Sequence, residues 1–495
     1  MVFEFDPYAE LGVASNSTID DIRAAFRRAA RRMHPDQNRT SPGASFQFQD
    51  INAANELLSD PVKRQEYDEY AKIAHSDEDM FFTFRVSTSK RSILTLSETQ
   101  VIYMLAEVLP DARAVNRQVK EARLNLTLVL DRSNSMSGQR MDKVKAAAHQ
   151  IIDKLNQDDI FSLVTFNDRA DVILEASPVT DKATLKARVS MLMASGGTEI
   201  YQGLITGVEQ CKKYLAPRLV NHIVFITDGN TYGDEDRSIE LAKSVANDGI
   251  VISTMGLGQE WNDDFLDKLA SATGGSTTYI NSIGSVVRFL NDHVRGLANM
   301  FAERIYLSVA SDPDVKLESA FKLAPSPQPL TVDQATIPLG GLQSNRPISV
   351  LLQFELPANL NLGFRSIARL VVGGDILTNK TQKYRVVNDM SLEVTNTLDQ
   401  EDPPTAILEA LGKLTLYRMQ ENAQIALERG DTKEATRQLE KLATRLFELG
   451  EHNLAHQAQS EAHLVAHTNS LSESGRKTLK YDTRYLLGGS EANVE

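Results

Sequence analysis

The chain has 495 residues, and this length implies roughly three or four domains, since single cores of this size are uncommon. Hydrophobic residues make up 42% and charged residues 24%, as in a globular protein. The formal net charge of −13 argues against nucleic acid as a main partner, because such partners need a basic surface. The single cysteine, Cys211, excludes an intramolecular disulfide framework and a multi-cysteine zinc site.

No segment predicts secretion or membrane insertion. The stretch "MVFEFDPYAEL" lacks the basic and apolar regions of a signal peptide. The apolar runs, such as "VIYMLAEVL", have the length of a strand and are too short to span a bilayer. We therefore expect a cytoplasmic protein with no membrane contact.

The first seventy residues predict two amphipathic helices, over residues 18–33 and 44–58, whose apolar residues recur at spacings of three and four. Pro35 ends the first helix, because the residue before a proline disfavours the helical conformation. The polar face of that helix carries a stripe of arginines, which includes Arg23, Arg27, Arg28 and Arg31.

This region resembles the J-domain of DnaJ-type co-chaperones. The resemblance rests on "DPYAELGV", the basic helix over residues 18–33 (the second helix of the family), His34-Pro35-Asp36 and "LSDPVKRQEYD", in the family's order and spacing. It implies that His34, Pro35 and Asp36 trigger ATP hydrolysis in a DnaK-type chaperone, and that the arginine stripe docks on that partner. The alternative is a degenerate J-domain kept only as a folding unit.

From residue 121 onwards, strands alternate with helices. "RLNLTLVLD", "DIFSLVTF", "NHIVFIT" and "GIVISTMGLG" predict strands, and amphipathic segments lie between them. Continuous apolar strands are typical of a sheet that is covered on both faces. The pattern predicts a doubly wound α/β domain with a mostly parallel sheet.

Three loops with oxygen-bearing side chains fall at or near the edge where such sheets bind ligands: one after the first strand, one after "SGG" between two helices, and one at the end of "HIVFITD". The side chains are Asp131, Ser133, Ser135, Thr198 and Asp228. Carboxylates and hydroxyls without histidine or cysteine suit Mg²⁺ or Mn²⁺ better than zinc. For the D-x-S-x-S stretch alone, the plainer interpretation is that Asp131 and Ser135 cap a turn and the next helix.

This constellation resembles the metal-ion-dependent adhesion site of von Willebrand factor A domains, over about residues 122–300. All five family positions are present. The resemblance implies that the hydroxyls coordinate the ion, that the aspartates act directly or through water, and that an acidic residue of a protein ligand completes the shell. A metal-dependent hydrolase ranks last, because no histidine or lysine base stands in a motif. Asp234, Glu235 and Asp236 could nonetheless gather a second cation.

Short β-type runs flank the α/β domain on both sides, which suggests one β-sandwich with the α/β domain inserted in it. The alternative is a separate sandwich after residue 300 with an extended N-terminal arm.

After the β-type runs, three helical segments near 405–429, 432–449 and 451–467 predict an α-helical bundle. The four histidines of the last segment share one face and could bind a metal or sense pH, although such stripes are usually only solvated: His452, His456, His463 and His467.

We therefore expect a multidomain, non-enzymatic co-chaperone. Its predicted domains are a J-domain (1–75), a β-sandwich (78–120 and 302–396), an A domain (121–301), a helical bundle (403–485) and a flexible tail (486–495). The A domain would bind an unknown protein ligand through Mg²⁺ or Mn²⁺, and the J-domain would recruit a DnaK-type chaperone. The alternative is an interaction scaffold or an adaptor for an AAA-type ATPase, with the J-domain as a tether only.

Overall fold

A computed structural model describes most of the chain. The described residues are 7, 11, 13, 18–33, 44–74, 80–117, 122–216, 219–229, 233–332, 336–377, 382–397 and 403–487. The chain divides into two compact units. The first comprises Met1–Lys120, Phe301–Pro325 and Pro329–Ile407, and the second Glu121–Met300, Ser326–Gln328 and Leu408–Glu495.

The N-terminal part of the first unit is helical, with α1 (Ile19–Met33), α2 (Ala44–Ser59) and α3 (Pro61–Ala74). Asp60 caps α3, since its side chain accepts from the Val62 amide at 2.9 Å, and Pro61 suits the first helical position because its missing N–H needs no partner there. The apolar stripe predicted for α1 forms the core of this region with residues of α2 and α3. That core includes Ile22, Ala25, Ala29, Ile51, Ala54, Leu58 and Tyr67.

The rest of the first unit is a β-sandwich built from strands on both sides of the α/β domain in sequence. Strands β1 (Phe82–Thr88), β2 (Ser92–Leu94) and β3 (Gln100–Pro110) come before it, and a short helix α4 (Ala112–Arg117) follows β3. The strands after the α/β domain are β10 (Met300–Ser311), β11 (Lys316–Ala324), β12 (Gln328–Leu330), β13 (Ile337–Gln343), β14 (Ile348–Leu356), β15 (Gly363–Ile376) and β16 (Gln382–Thr395).

Two five-stranded sheets form this sandwich, in the orders β1-β3-β14-β11-β12 and β13-β10-β15-β16-β2. Strand β3 pairs antiparallel with β14, as Leu105 opposite Leu351 illustrates, so residues before and after the α/β domain share one sheet. The predicted insertion is therefore confirmed, and the separate sandwich with an extended arm is wrong.

The α/β domain in the second unit has a six-stranded sheet in the order β6-β5-β4-β7-β8-β9. All neighbours in it are parallel except the β5–β6 pair. Its strands are β4 (Arg123–Asp131), β5 (Ile160–Phe166), β6 (Ala170–Pro178), β7 (Leu219–Thr227), β8 (Val251–Leu257) and β9 (Thr277–Ile280). Its helices are α5 (Gln139–Lys154), α6 (Lys182–Ser190), α7 (Ile200–Lys212), α8 (Glu235–Asn247), α9 (Asp263–Ser271) and α10 (Val286–Ala298).

The two ends of this domain meet, because the Ala122 amide donates to the Ala298 carbonyl at 3.1 Å. The fold class predicted from the alternation is confirmed. Its central strands β4 and β7 are buried along nearly their whole length, as expected for a sheet with helices on both faces.

The C-terminal region has four helices: α11 (Thr405–Glu428), α12 (Thr432–Glu448), α13 (His452–Thr468) and α14 (Glu473–Leu487). The prediction of three helices was therefore incomplete. Helix α14 was not predicted from the spacing of apolar residues, because much of its buried face is basic. Lys477, Lys480 and Arg484 are all at most 6% exposed. No helix within the described ranges is long and apolar enough to cross a membrane.

Candidate functional site

Two aspartates stand at the carboxyl edge of the six-stranded sheet. Asp131 is the last residue of β4, and Asp228 directly follows β7. Because β4 and β7 are parallel neighbours, the two carboxylates meet at one edge. Both residues are almost fully buried, at 0% and 1% exposure.

The loop after β4 connects these carboxylates through its serines. The Ser133 amide donates to Asp131 Oδ1 at 2.8 Å. The hydroxyls of Ser133 and Ser135 lie 2.9 Å apart, and Ser135 Oγ donates to Asp228 Oδ1 at 2.7 Å. Four of the five predicted ligands therefore form one continuous hydrogen-bonded cluster.

The fifth predicted ligand, Thr198, lies beside the loop of Asp228. A Cβ atom built on Gly229 would stand 3.2 Å from Thr198 Oγ1. The Thr198 loop is held against the β4 loop, because the Ser195 amide donates to the Arg132 carbonyl at 2.7 Å. The structure thus brings all five predicted side chains to the same edge.

The two carboxylates differ in their partners. Burial raises the pKa of Asp131 above its ordinary value, although hydrogen bonds from Ser133 and Thr227 act in the opposite direction. The Thr227 hydroxyl donates to Asp131 Oδ2 at 2.7 Å. Asp228 forms an ion pair with Arg140, whose Nη1 lies 2.5 Å from Oδ2, and the same Nη1 donates to the Ser135 carbonyl at 3.2 Å.

These residues fit a hard divalent cation. Two buried carboxylates and three hydroxyls form an all-oxygen donor set, which Mg²⁺ and Mn²⁺ prefer over nitrogen or sulfur ligands. A buried pair of carboxylates also needs positive charge nearby, and Arg140 supplies only one.

A second cation beside this edge is not supported. Asp234 accepts from the Tyr201 amide at 2.8 Å, and Glu235 accepts from Asn262 Nδ2 at 2.9 Å. Within the described part of the chain, no three His, Cys, Asp or Glu side chains are grouped so as to hold a metal. The same finding applies to the exposed histidine face of α13.

Comparison with protein families identifies three regions. The DnaJ domain model matches residues 6–68, the von Willebrand factor type A domain model residues 125–291, and the Sll0103-like C-terminal alpha-helical domain model residues 405–489. The chain joins a DnaJ domain to a von Willebrand factor type A (VWA) domain. Both resemblances inferred from the sequence are therefore confirmed.

Relatives match either most of the chain or single domains. An uncharacterized protein, sll0103 of Synechocystis sp., is 29% identical over 381 residues, which cover 75% of this chain and 90% of that protein. An uncharacterized protein of Escherichia coli, YfbK, is 26% identical over 38% of this chain and 34% of its own length. The chaperone protein DnaJ of Carboxydothermus hydrogenoformans is 49% identical over 65 residues, which are 13% of this chain and 17% of that protein.

Two solved structures match most of the chain in fold. The von Willebrand factor type A structure from Catenulispora acidiphila has a TM-score of 0.65 at 16% identity and covers 83% of this chain and 97% of that chain. The ArnB paralog VWA2 from Sulfolobus acidocaldarius has a TM-score of 0.54 at 14% identity, over 83% and 100%. At these identities the likeness is one of fold.

The DnaJ-domain motif His34-Pro35-Asp36 lies outside the described residues. Arg23 and Arg27 are exposed on α1, as an interaction face requires, and Arg23 also lies 3.8 Å from Asp20. Arg28 and Arg31 belong to the same helix, but their side chains are outside the described set. The role of all these residues stays a prediction.

Several residues that support the VWA site were not predicted from the sequence. Thr227 and Arg140 contact the two aspartates directly. The Thr198 loop is held by two hydrogen bonds: Asn167 Nδ2 donates to the Ser195 carbonyl at 2.7 Å, and the Gly197 amide donates to Asp168 Oδ1 at 2.9 Å. Thr227 stands directly before Asp228, so its position was a usable signal. The loop of Asn167 and Asp168 follows β5, the other parallel neighbour of β4, and this was the signal for the second pair.

Proposed function

We propose that the protein is a cytoplasmic, non-enzymatic co-chaperone. Its VWA domain binds a protein partner through a divalent cation, Mg²⁺ or Mn²⁺, and its DnaJ domain recruits a DnaK-type chaperone to that partner. The observation that carries the proposal is the presence of both domains on one chain, with the oxygen cluster of the VWA domain complete. DnaJ and VWA domains are typically non-catalytic.

In the metal-loaded site, Asp131, Ser133, Ser135, Thr198 and Asp228 hold the cation. The cation supplies a positive centre that an acidic side chain of the partner can bind. The protein's own groups prepare this centre. Thr227 orients the Asp131 carboxylate, and Ser135 orients that of Asp228.

In the DnaJ domain, His34, Pro35 and Asp36 stimulate ATP hydrolysis in the chaperone. Arg23, Arg27, Arg28 and Arg31 provide a positive surface that steers the acidic partner and orients it on encounter. The exposed positions of Arg23 and Arg27, opposite the buried Ile22 and Ala25, support this role.

A pull-down with and without EDTA tests both halves. We expect the wild-type chain to retain a DnaK-type chaperone through Asp36 and a different protein through Asp131. Asp36→Asn should lose only the chaperone, and Asp131→Ala should lose only the other protein. EDTA should also release the other protein from the wild type, and only the Asp131→Ala arm isolates the VWA site, because the chaperone's ATP needs Mg²⁺ as well. Loss of neither would contradict the proposal.

The second candidate is a metal-dependent scaffold or adaptor for an AAA-type ATPase, in which the DnaJ domain is a tether. The observation that favours it is that the VWA and C-terminal helical models match residues 125–291 and 405–489, a much larger part of the chain than the DnaJ match over residues 6–68. Capture of an AAA-type ATPase as the sole partner, unaffected by Asp36→Asn, would support it against the co-chaperone.

A further inference from the structure

A cavity of about 420 Å³ opens beside the predicted metal site, at the carboxyl ends of β8 and β9. Its floor is apolar, formed by the buried side chains of Leu257, Ile280 and Val286. Its rim is polar and includes Arg140, Gln259 and Asn281. The function described above does not use this cavity.

Arg140 joins the cavity to the metal site. Its Nη1 pairs with Asp228 Oδ2 at 2.5 Å. Its Nη2 lies on the cavity side, because a Cβ built on Gly258 would stand 2.9 Å from that atom. The side chain is 33% exposed, so the guanidinium is accessible to a bound molecule.

Hydrogen bonds from Trp261 and Lys477 fix the loop that follows β8 and forms the cavity rim. Trp261 Nε1 donates to the Gly258 carbonyl at 2.9 Å. Lys477 of α14 donates to the Trp261 carbonyl at 2.6 Å and also to the Gln259 carbonyl. The cavity is therefore a preformed feature of the VWA domain, and a ligand need not order this loop in order to bind.

The charges at the site select an anion. A divalent cation is balanced by the carboxylates of Asp131 and Asp228, so the guanidinium of Arg140 leaves the loaded site with one uncompensated positive charge. A single carboxylate of a ligand restores neutrality. Among the described residues that line the cavity, the one acid is Glu260, which is exposed, and water therefore screens its repulsion.

We propose that the Arg140 cavity is a second subsite for the VWA ligand, which is a peptide segment with an acidic residue next to a large aliphatic one. This inference rests on the proposed function. Arg140 donates to the same acidic side chain that the cation binds, since a guanidinium and a carboxylate match in shape and charge. The adjacent leucine, isoleucine or methionine occupies the cavity and contacts its apolar floor.

A random peptide library displayed on phage is the probe. The full-length protein is panned in MgCl₂ and bound phage are released with EDTA. We expect enrichment of aspartate or glutamate directly beside leucine, isoleucine or methionine. Asn281→Trp, which fills the cavity from its exposed rim, should remove the aliphatic preference and keep the acidic one. Asn247→Trp is the matched control, exposed at the end of α8, and should enrich the same peptides as wild type.

The outcomes separate the two proposals. Enrichment of acids with no aliphatic neighbour, or an aliphatic preference that survives Asn281→Trp, overturns the cavity subsite and leaves the metal-dependent function standing. Absence of any EDTA-released peptide overturns both.

Arg140→Ala should change the affinity for Mn²⁺ and the affinity for an enriched peptide in opposite directions. Removal of a cation beside Asp228 should tighten Mn²⁺ binding several-fold, whereas loss of the charge-assisted hydrogen bonds should weaken an enriched peptide by roughly tenfold or more. A residue with only a structural role would weaken both. Parallel loss of Mn²⁺ and peptide affinity therefore contradicts the proposal, and titration calorimetry measures each affinity.

Discussion

At the residue scale, the metal-ligand cluster depends on side chains that do not themselves carry the ligand role. Thr227 is fully buried, and its hydroxyl has the Asp131 carboxylate as its acceptor. Thr165, in the neighbouring strand β5, is equally buried, yet its hydroxyl has no hydrogen-bond partner within the described residues. The two threonines therefore provide a matched pair.

We expect Thr227→Val to weaken Mg²⁺ binding by about 10-fold or more, since groups that orient metal ligands commonly contribute that much. Without the hydroxyl, one oxygen of the buried Asp131 carboxylate loses its donor. Thr165→Val removes no hydrogen bond and should bind Mg²⁺ as the wild type does. Calorimetric titration of both variants makes the comparison, and equal affinities would show that Thr227 does not support the site.

The second residue-scale feature is a pair of packed histidines in the VWA domain. His222 Nε2 lies 3.1 Å from His293 Nε2 and also 3.1 Å from Ser253 Oγ. Burial lowers the pKa of His222 well below its ordinary value, and the neighbouring His293 lowers it further. Burial also lowers the pKa of His293, to about 4.

Both histidines are thus neutral in the folded protein and bind protons more readily when unfolded. The free energy of unfolding should therefore fall as the pH drops below about 6.5, and keep falling towards pH 4. His293→Gln should lessen this slope by up to about 1.4 kcal/mol per pH unit. Urea denaturation between pH 7 and pH 5 measures this dependence of the unfolding free energy on pH, and the exposed His467→Gln variant is the control. A slope that His293→Gln leaves unchanged would rule out this pair as the cause.

At the element scale, helix α14 binds the VWA domain through charges. Arg476 and Lys480 contact Asp263 at the start of α9, at 2.6 and 2.5 Å, and Arg484 contacts Asp267 at 2.7 Å. Burial acts against ionised carboxylates, but the Arg476 and Lys480 cations hold the pKa of Asp263 well below its usual range. The interface is therefore a buried network of ion pairs with few solvated members.

Removing one carboxylate from this network should release the helix. Asp263→Asn leaves the buried Lys480 and the partly buried Arg476 without their shared carboxylate, at a cost of about 3–5 kcal/mol. Trypsin should then cleave after Lys477 and Lys480, which are buried in the wild type. Glu473→Gln, which removes an exposed partner of Arg476, should leave the digestion pattern unchanged. Equal resistance of Asp263→Asn and wild type would contradict the account of this interface.

Some elements could be predicted from the sequence and others could not. Strands β4 and β7 were predictable because a sheet covered on both faces requires continuous apolar runs. Helix α14 was not, because its buried Lys477, Lys480 and Arg484 look like solvent-facing residues until their distant partners are known. These partners are backbone carbonyls for Lys477 and aspartates for Lys480 and Arg484. Arg140 was missed for the same reason, since its partner Asp228 is 88 residues away in the chain.

At the scale of the whole molecule, the insertion was predictable from β-type runs on both sides of the α/β region. The pairing of β3 with β14 needed the structure, because registers between distant strands leave no local signal. The five predicted VWA ligands could be found because each follows a recognisable strand or glycine loop. The limits assigned to the individual domains and the ligand roles themselves stay predictions.

The central claim is that the two modules act on different partners within one chain. The most direct measurement is single-turnover ATP hydrolysis by a purified DnaK-type chaperone in the presence of the full-length protein. We predict stimulation by the wild type and by Asp131→Ala, since the VWA site is not needed to engage the chaperone, and none by His34→Gln. Stimulation that persists in His34→Gln, or that is absent from the wild type, would contradict the account.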